Sequence, residues 1–140
     1  MNNQKNIVLC GVGGQGTVLA SKLLAAAAMS KDIPVMSAET IGMAQRGGSV
    51  FSHLRMGDNL YSPMIETGTA DLIIGFEPGE TVRMLPYLKD HGHIVVSTRA
   101  VKPVTATLSG SDYDAPQMLE YLKAAVPNLT LVNADQACAD

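Results

Sequence analysis

Ile7-Val8-Leu9-Cys10-Gly11-Val12-Gly13-Gly14-Gln15-Gly16-Thr17 is the stretch on which the fold turns. Four apolar residues bounded by Asn6 and Gly11 suit a strand buried on both faces of a parallel sheet. A G-x-G-x-x-G pattern, Gly11 to Gly16, follows at once. From Thr17 to Met29 the residues Val18, Leu19, Lys22, Leu23, Ala26 and Ala27 keep helical spacing in a stretch rich in Ala and Leu. Strand, glycine loop and helix in this order open an α/β unit, and residues 33–37 supply its second strand.

Further along, residues 39–48 show neither helical nor strand period and read as an ordered loop. Residues 49–56 and 60–65 flank Gly57-Asp58-Asn59, the signature of a hairpin. Residues 72–76 read as a buried strand, and residues 79–88 as a helix whose regularity Pro86 limits. After a turn at Asp90-His91-Gly92 come strands at 94–97 and 103–108, a helix at 116–125 and a last strand at 129–132. The order predicts an α/β fold: a Rossmann-like, mainly parallel sheet flanked by helices, with an antiparallel hairpin excursion.

At 140 residues the chain reads as one domain over 1–140, large enough to hold a core without disulfides or a structural metal. Charged residues make up only 16%, and ten Lys+Arg against thirteen Asp+Glu give a net charge of −3 with no basic run. Nucleic acid held through its phosphates is therefore not expected. The longest uncharged apolar run, Leu23 to Met29, falls far short of the roughly 18 residues of a membrane span. The four apolar residues before Gly11 are too few for a signal peptide, so the expected location is the cytoplasm. Two cysteines, Cys10 and Cys138, fall short of the roughly four ligands of an iron–sulfur cluster.

Two segments could carry chemistry. Gly11, Gly13, Gly14, Gln15 and Gly16 stand where backbone amides and a helix dipole would meet an anion. Glu39, 23 residues beyond Gly16, lies near the spacing for an acid that accepts a ribose hydroxyl. Three uses stay open for this loop: a dinucleotide, the phosphate of another ligand, or packing against a neighbouring subunit. In Gln45, Arg46, Gly47 and Gly48, the arginine beside two glycines could present a planar cation to a carboxylate or phosphate, or merely pair with a nearby acid. No other basic residue accompanies it in sequence. Glu77-Pro78-Gly79-Glu80 reads either as a ligand contact at a strand end or as a helix start. His53, His91 and His93 complete no metal set, and no nucleophile elbow occurs. The eight methionines read as core gap-fillers or as a subunit contact.

Taken together, residues 11–16, Gly42-Met43-Ala44-Gln45-Arg46-Gly47-Gly48-Ser49-Val50, Tyr61-Ser62-Pro63-Met64-Ile65 and Gly75-Phe76-Glu77-Pro78 resemble the gamma-type subunit or domain of 2-oxoacid:ferredoxin oxidoreductases. The Met43 to Ser49 wording is similar to the indolepyruvate, or aryl-pyruvate, branch. Ala38-Glu39-Thr40-Ile41 departs from that branch, where a histidine is common near position 41. Members usually continue beyond the equivalent of Asp140, which leaves open a shortened C-terminus. The resemblance implies a reaction that joins a 2-oxo acid, coenzyme A and oxidised ferredoxin to give an acyl-CoA, carbon dioxide and reduced ferredoxin. It also implies a larger partner subunit holding thiamine diphosphate, magnesium and iron–sulfur clusters, with no cofactor bound by this chain alone and no activity of its own. Coenzyme A would be the co-substrate, and its phosphates, or a partner-subunit contact, would fall to the glycine loop and the Gln45 to Gly48 segment. The reading from another class is a stand-alone nucleotide-binding module or small NAD(P)-dependent enzyme, for which Glu39 argues.

Overall fold

Val8, Leu9 and Cys10 have no exposed surface, because the strand that carries them, β1 (Lys5–Val12), lies in the middle of the sheet and is covered on both faces. The computed structural model describes residues 3–40, 48–101 and 114–139. After β1 come α1 (Thr17–Ser30), β2 (Val35–Glu39), β3 (Ser49–Met56), β4 (Ala70–Gly75), α2 (Pro78–Met84), a short 3-10 turn (Leu85–Tyr87) and β5 (Leu88–Ser97). Then follow α3 (Ala115–Ala125), β6 (Leu129–Val132) and α4 (Ala134–Ala139). The sheet order is β2-β3-β1-β4-β5-β6. β1, β4, β5 and β6 pair in parallel, while β3 runs against both β1 and β2. The expected α/β class and mainly parallel sheet are present.

The antiparallel excursion takes another form than a hairpin. β3 inserts between β2 and β1, and residues 60–65 form no strand. Instead the segment from 57 to 69 returns along the face on which Val8 and His53 lie. Ile65, buried, joins the core there and donates its amide to His53 Nδ1 at 2.9 Å. Arg55 Nη1 holds the same segment through the Ser62 carbonyl at 2.9 Å. The expected turn at 90–92 is likewise no strand boundary. β5 begins at Leu88, and the register passes from Ala70↔Leu88 to Leu72↔His93, so residues 89–92 oppose Asp71 alone. His91 takes a positive φ of 62° to make this bulge. Lys89 pairs with Asp71, whose other oxygen accepts the Asn6 amide at 2.8 Å. The expected strand at 103–108 lies outside the described residues.

Alternation sends Val8 and Cys10 to the face where Met84 of α2 and Leu122 of α3 complete the core. Leu9 and Gly11 turn to the other face. There α1 packs on β1, β2 and β3 through Thr17, Ser21 and Ala28, while Leu19 and Leu23 are 61% and 62% exposed. The helix is as expected, but small residues form its sheet side and leucines its outer side. At the first turn the approach is close: a Cβ on Gly11 would stand 2.8 Å from Thr17 Oγ1. Of the methionines, Met84 is core, whereas Met29 and Met64 are exposed.

Candidate functional site

All the parallel strands end at one edge of the sheet, and β3 begins there. β1 leads through α1 to one side of the sheet and β4 through α2 to the other, so the crevice between their carboxyl ends is the switch point at which open α/β sheets take ligands. The glycine loop lies at this point. Gly14 and Gly16 have φ of 95° and 88°, a conformation that costs any residue with a Cβ roughly 1–2 kcal/mol. Gln15 is committed internally: its Oε1 accepts the Val12 amide at 2.7 Å and its Nε2 donates to the Phe76 carbonyl at 3.2 Å, across the crevice.

The Gly13 amide donates to the Gly48 carbonyl at 2.8 Å, so the structure brings the last residue of the second sequence candidate to the glycine loop. Gln45, Arg46 and Gly47 themselves lie outside the described residues. Gly16 caps α1 without a side-chain hydrogen bond. Among the described residues the amides of Gly14, Gly16, Thr17 and Val18 have no partner. Thr17 Oγ1 at the same helix start is buried and also unpartnered. Unused donors thus gather at the positive end of a helix dipole, the arrangement that stabilises an anion.

Beside this loop stand two buried acids. Glu77, fully buried, caps α2 by accepting the Glu80 amide on Oε2 at 2.9 Å, which makes it a helix start; among the described residues its Oε1 has no hydrogen-bond partner. Burial pushes the Glu77 carboxyl above its ordinary range, against the pull of the Glu80, Gly79 and Val101 amides. Glu80, 3% exposed, accepts from Ser49 Oγ at 2.9 Å. Arg83 then donates through Nη1 to Ser49 Oγ at 2.5 Å and lies 3.6 Å from Glu80 Oε2. A second cation therefore stands one residue from Gly48. Sequence reading missed it, because Arg83 and Ser49 are 34 positions apart and nothing local pairs them. Cys10 offers no reactive thiol: burial pushes it up to about 12, with Thr81 as a weak partner at 3.9 Å.

Glu39 does not serve the loop as a dinucleotide acid would. It ends β2, and β3 separates β2 from β1, which places it two strand spacings, roughly 10 Å, from the strand that carries the loop. Among the described residues no group of three His, Cys, Asp or Glu side chains could hold a metal ion. No helix among them is long and apolar enough to cross a membrane.

Residues 6–137 match the model of the pyruvate ferredoxin/flavodoxin oxidoreductase family. The chain belongs to this family. Within it, the chain is 39% identical over 132 residues to an indolepyruvate oxidoreductase subunit IorB of Archaeoglobus fulgidus, across 94% of this chain and 65% of that relative. It thus spans less than two-thirds of the relative's length. Among solved structures, the fold is similar to the gamma subunit of a keto/oxoacid ferredoxin oxidoreductase from Geobacter sulfurreducens. That match has a TM-score of 0.57 and 24% identity over 74% of this chain and 57% of that one. It is also similar to a 2-oxoglutarate:ferredoxin oxidoreductase from Magnetococcus marinus, whose structure holds 2-oxoglutarate, coenzyme A and succinyl-CoA. There the TM-score is 0.65 and the identity 16%, over 95% of this chain but 20% of that one. Both neighbours share the fold of this chain.

Proposed function

We propose that this chain is the non-redox, gamma-type subunit of a cytoplasmic indolepyruvate:ferredoxin oxidoreductase and forms one domain of that assembly. The enzyme would decarboxylate an aryl 2-oxo acid oxidatively, with coenzyme A as acyl acceptor and ferredoxin as electron acceptor. Thiamine diphosphate, magnesium and iron–sulfur clusters are assigned to a larger subunit; the two cysteines here are too few to ligate a cluster. What remains for this chain is to bind and orient. The observation that carries the reading is the Gly13 to Gly48 hydrogen bond, which ties an uncapped helix start to the segment containing Arg46. Amides without partners suit the diphosphate of coenzyme A, and the Arg46 guanidinium is assigned to add charge-assisted hydrogen bonds to it. Relatives named as indolepyruvate oxidoreductase subunits supply the substrate class.

The test has two parts. The chain purified from its source should bring with it a larger subunit containing thiamine diphosphate, iron and sulfide, and the assembly should reduce a dye in the presence of indolepyruvate and coenzyme A. In that assembly Arg46→Ala should raise the KM for coenzyme A about tenfold, as expected for loss of one charged hydrogen bond. A chain that travels alone and turns over no 2-oxo acid overturns the proposal, and an unchanged KM removes Arg46 from it.

A further inference from the structure

Resting on the coenzyme A reading above, we infer that Arg83 is a second anion-binding residue of this site, receiving a phosphate monoester while the glycine-loop amides receive a diphosphate. Its place comes from a chain of contacts. Gly13 is bonded to Gly48, the next residue is Ser49, and the Ser49 hydroxyl accepts from Arg83 Nη1 while donating to Glu80. The guanidinium is thereby held at the carboxyl edge of the sheet, on the side of the crevice where β3 begins.

Its orientation comes from the same contacts. Glu80 is buried and Arg83 is 62% exposed, so the acid lies beneath and the cation points outward. One nitrogen, Nη1, is engaged; among the described residues Nε and Nη2 have no hydrogen-bond partner. A guanidinium has five N–H donors in a planar fork, and with one edge anchored the other is presented at little entropic cost. Glu80 is not needed to cap α2, because Glu77 does that. The Glu80 side chain is spent on Ser49 and Arg83, which makes it a positioning residue for the arginine.

The division of labour follows from charge. A phosphate monoester is close to doubly charged at neutral pH and is gripped by an arginine fork, whereas a diphosphate spreads its charge along successive amides at a helix start. Coenzyme A carries both groups, and 3′-dephospho-coenzyme A carries the diphosphate alone.

The experiment compares these two compounds as acyl acceptors for the assembled oxidoreductase. Arg83→Gln should raise the KM for coenzyme A about tenfold, out of proportion to any change in kcat, and leave the KM for 3′-dephospho-coenzyme A within about twofold. Arg83→Lys, which keeps the charge, should recover part of the loss. Equal losses for both compounds would show that Arg83 only supports the Ser49 region and would overturn the inference, as would no change for either. If Arg46→Ala raises the KM and Arg83→Gln does not, this inference alone falls; if neither does, the coenzyme A reading falls with it.

Discussion

The imidazole of His53 accepts the Ile65 amide through Nδ1, with Phe51 and Tyr87 ring centroids at 5.5 and 5.2 Å and, among the described residues, no hydrogen-bond partner for Nε2. Burial lowers its pKa below 6.5, so the folded chain favours the neutral ring and the unfolded chain binds the proton first. The stability this residue allows is therefore complete above pH 6.5 and is lost as pH falls below it, at no more than about 1.4 kcal/mol per pH unit for one proton. Urea midpoints between pH 7.5 and 5 should fall for the wild type and less steeply for His53→Gln, whose amide oxygen can accept from Ile65 without titrating. Parallel slopes would show that His53 is not the group responsible. In sequence the residue read only as a histidine remote from any metal set, because its anchor lies twelve positions away on a segment with no regular structure. The glycine loop was legible for the opposite reason: positive φ at Gly14 and Gly16 and the close approach at Gly11 are demands met within six residues.

At the scale of elements, α1 carries the clearest lesson. Its existence was readable from residue spacing, but the choice of buried face was not, because Leu19 and Leu23 outweigh Thr17, Ser21 and Ala28 on any hydrophobic count. Close helix–sheet contact decided otherwise. Ser21→Leu should destabilise the chain by about 1–3 kcal/mol through overpacking, while Leu23→Ser should stay within about 0.5 kcal/mol. Thermal unfolding of the two variants checks this, and the reverse order would mean that α1 is rotated about its axis. The hairpin expectation failed on a similar balance. Gly57-Asp58-Asn59 does turn the chain, with positive φ at Gly57 and Asn59, but Ile65 gains more by entering the core than residues 60–65 would by pairing at a sheet edge already taken by β2. At 90–92 the local turn signal was real and the context wrong: a bulge inside a strand uses the same residues as a turn between elements.

Across the whole molecule the two ends of the sheet differ in purpose. The amino end is stitched by side chains, with Arg55 Nε on Asn6 at 3.0 Å and Asp71 on Lys89 and the Asn6 amide. The carboxyl end leaves the amides of Gly14, Gly16, Thr17 and Val18 unspent among the described residues. Its candidate site was half legible, since the glycine loop and Gly48 meet there and Glu80 already stood out in sequence, whereas the pairing of Glu80 with Ser49 and Arg83 became visible only once β3 and α2 met. The insertion of β3 between β1 and β2 also bears on how the chain acquires its shape. β2 has its described ladder with β3 alone, so a chain made only as far as residue 40 can form helix α1 but no strand pair between β1 and β2. Loop closure must wait for residues 49–56, which adds sequence separation to the earliest sheet contacts and slows the search for them. Pulsed hydrogen exchange during refolding should therefore find β1 amides protected together with those of β3 and β4, and β2 amides no sooner than β3. Protection of β2 ahead of β3 would contradict it. A strand that reaches its neighbour only through a later arrival makes the N-terminal half of this protein depend kinetically on its middle.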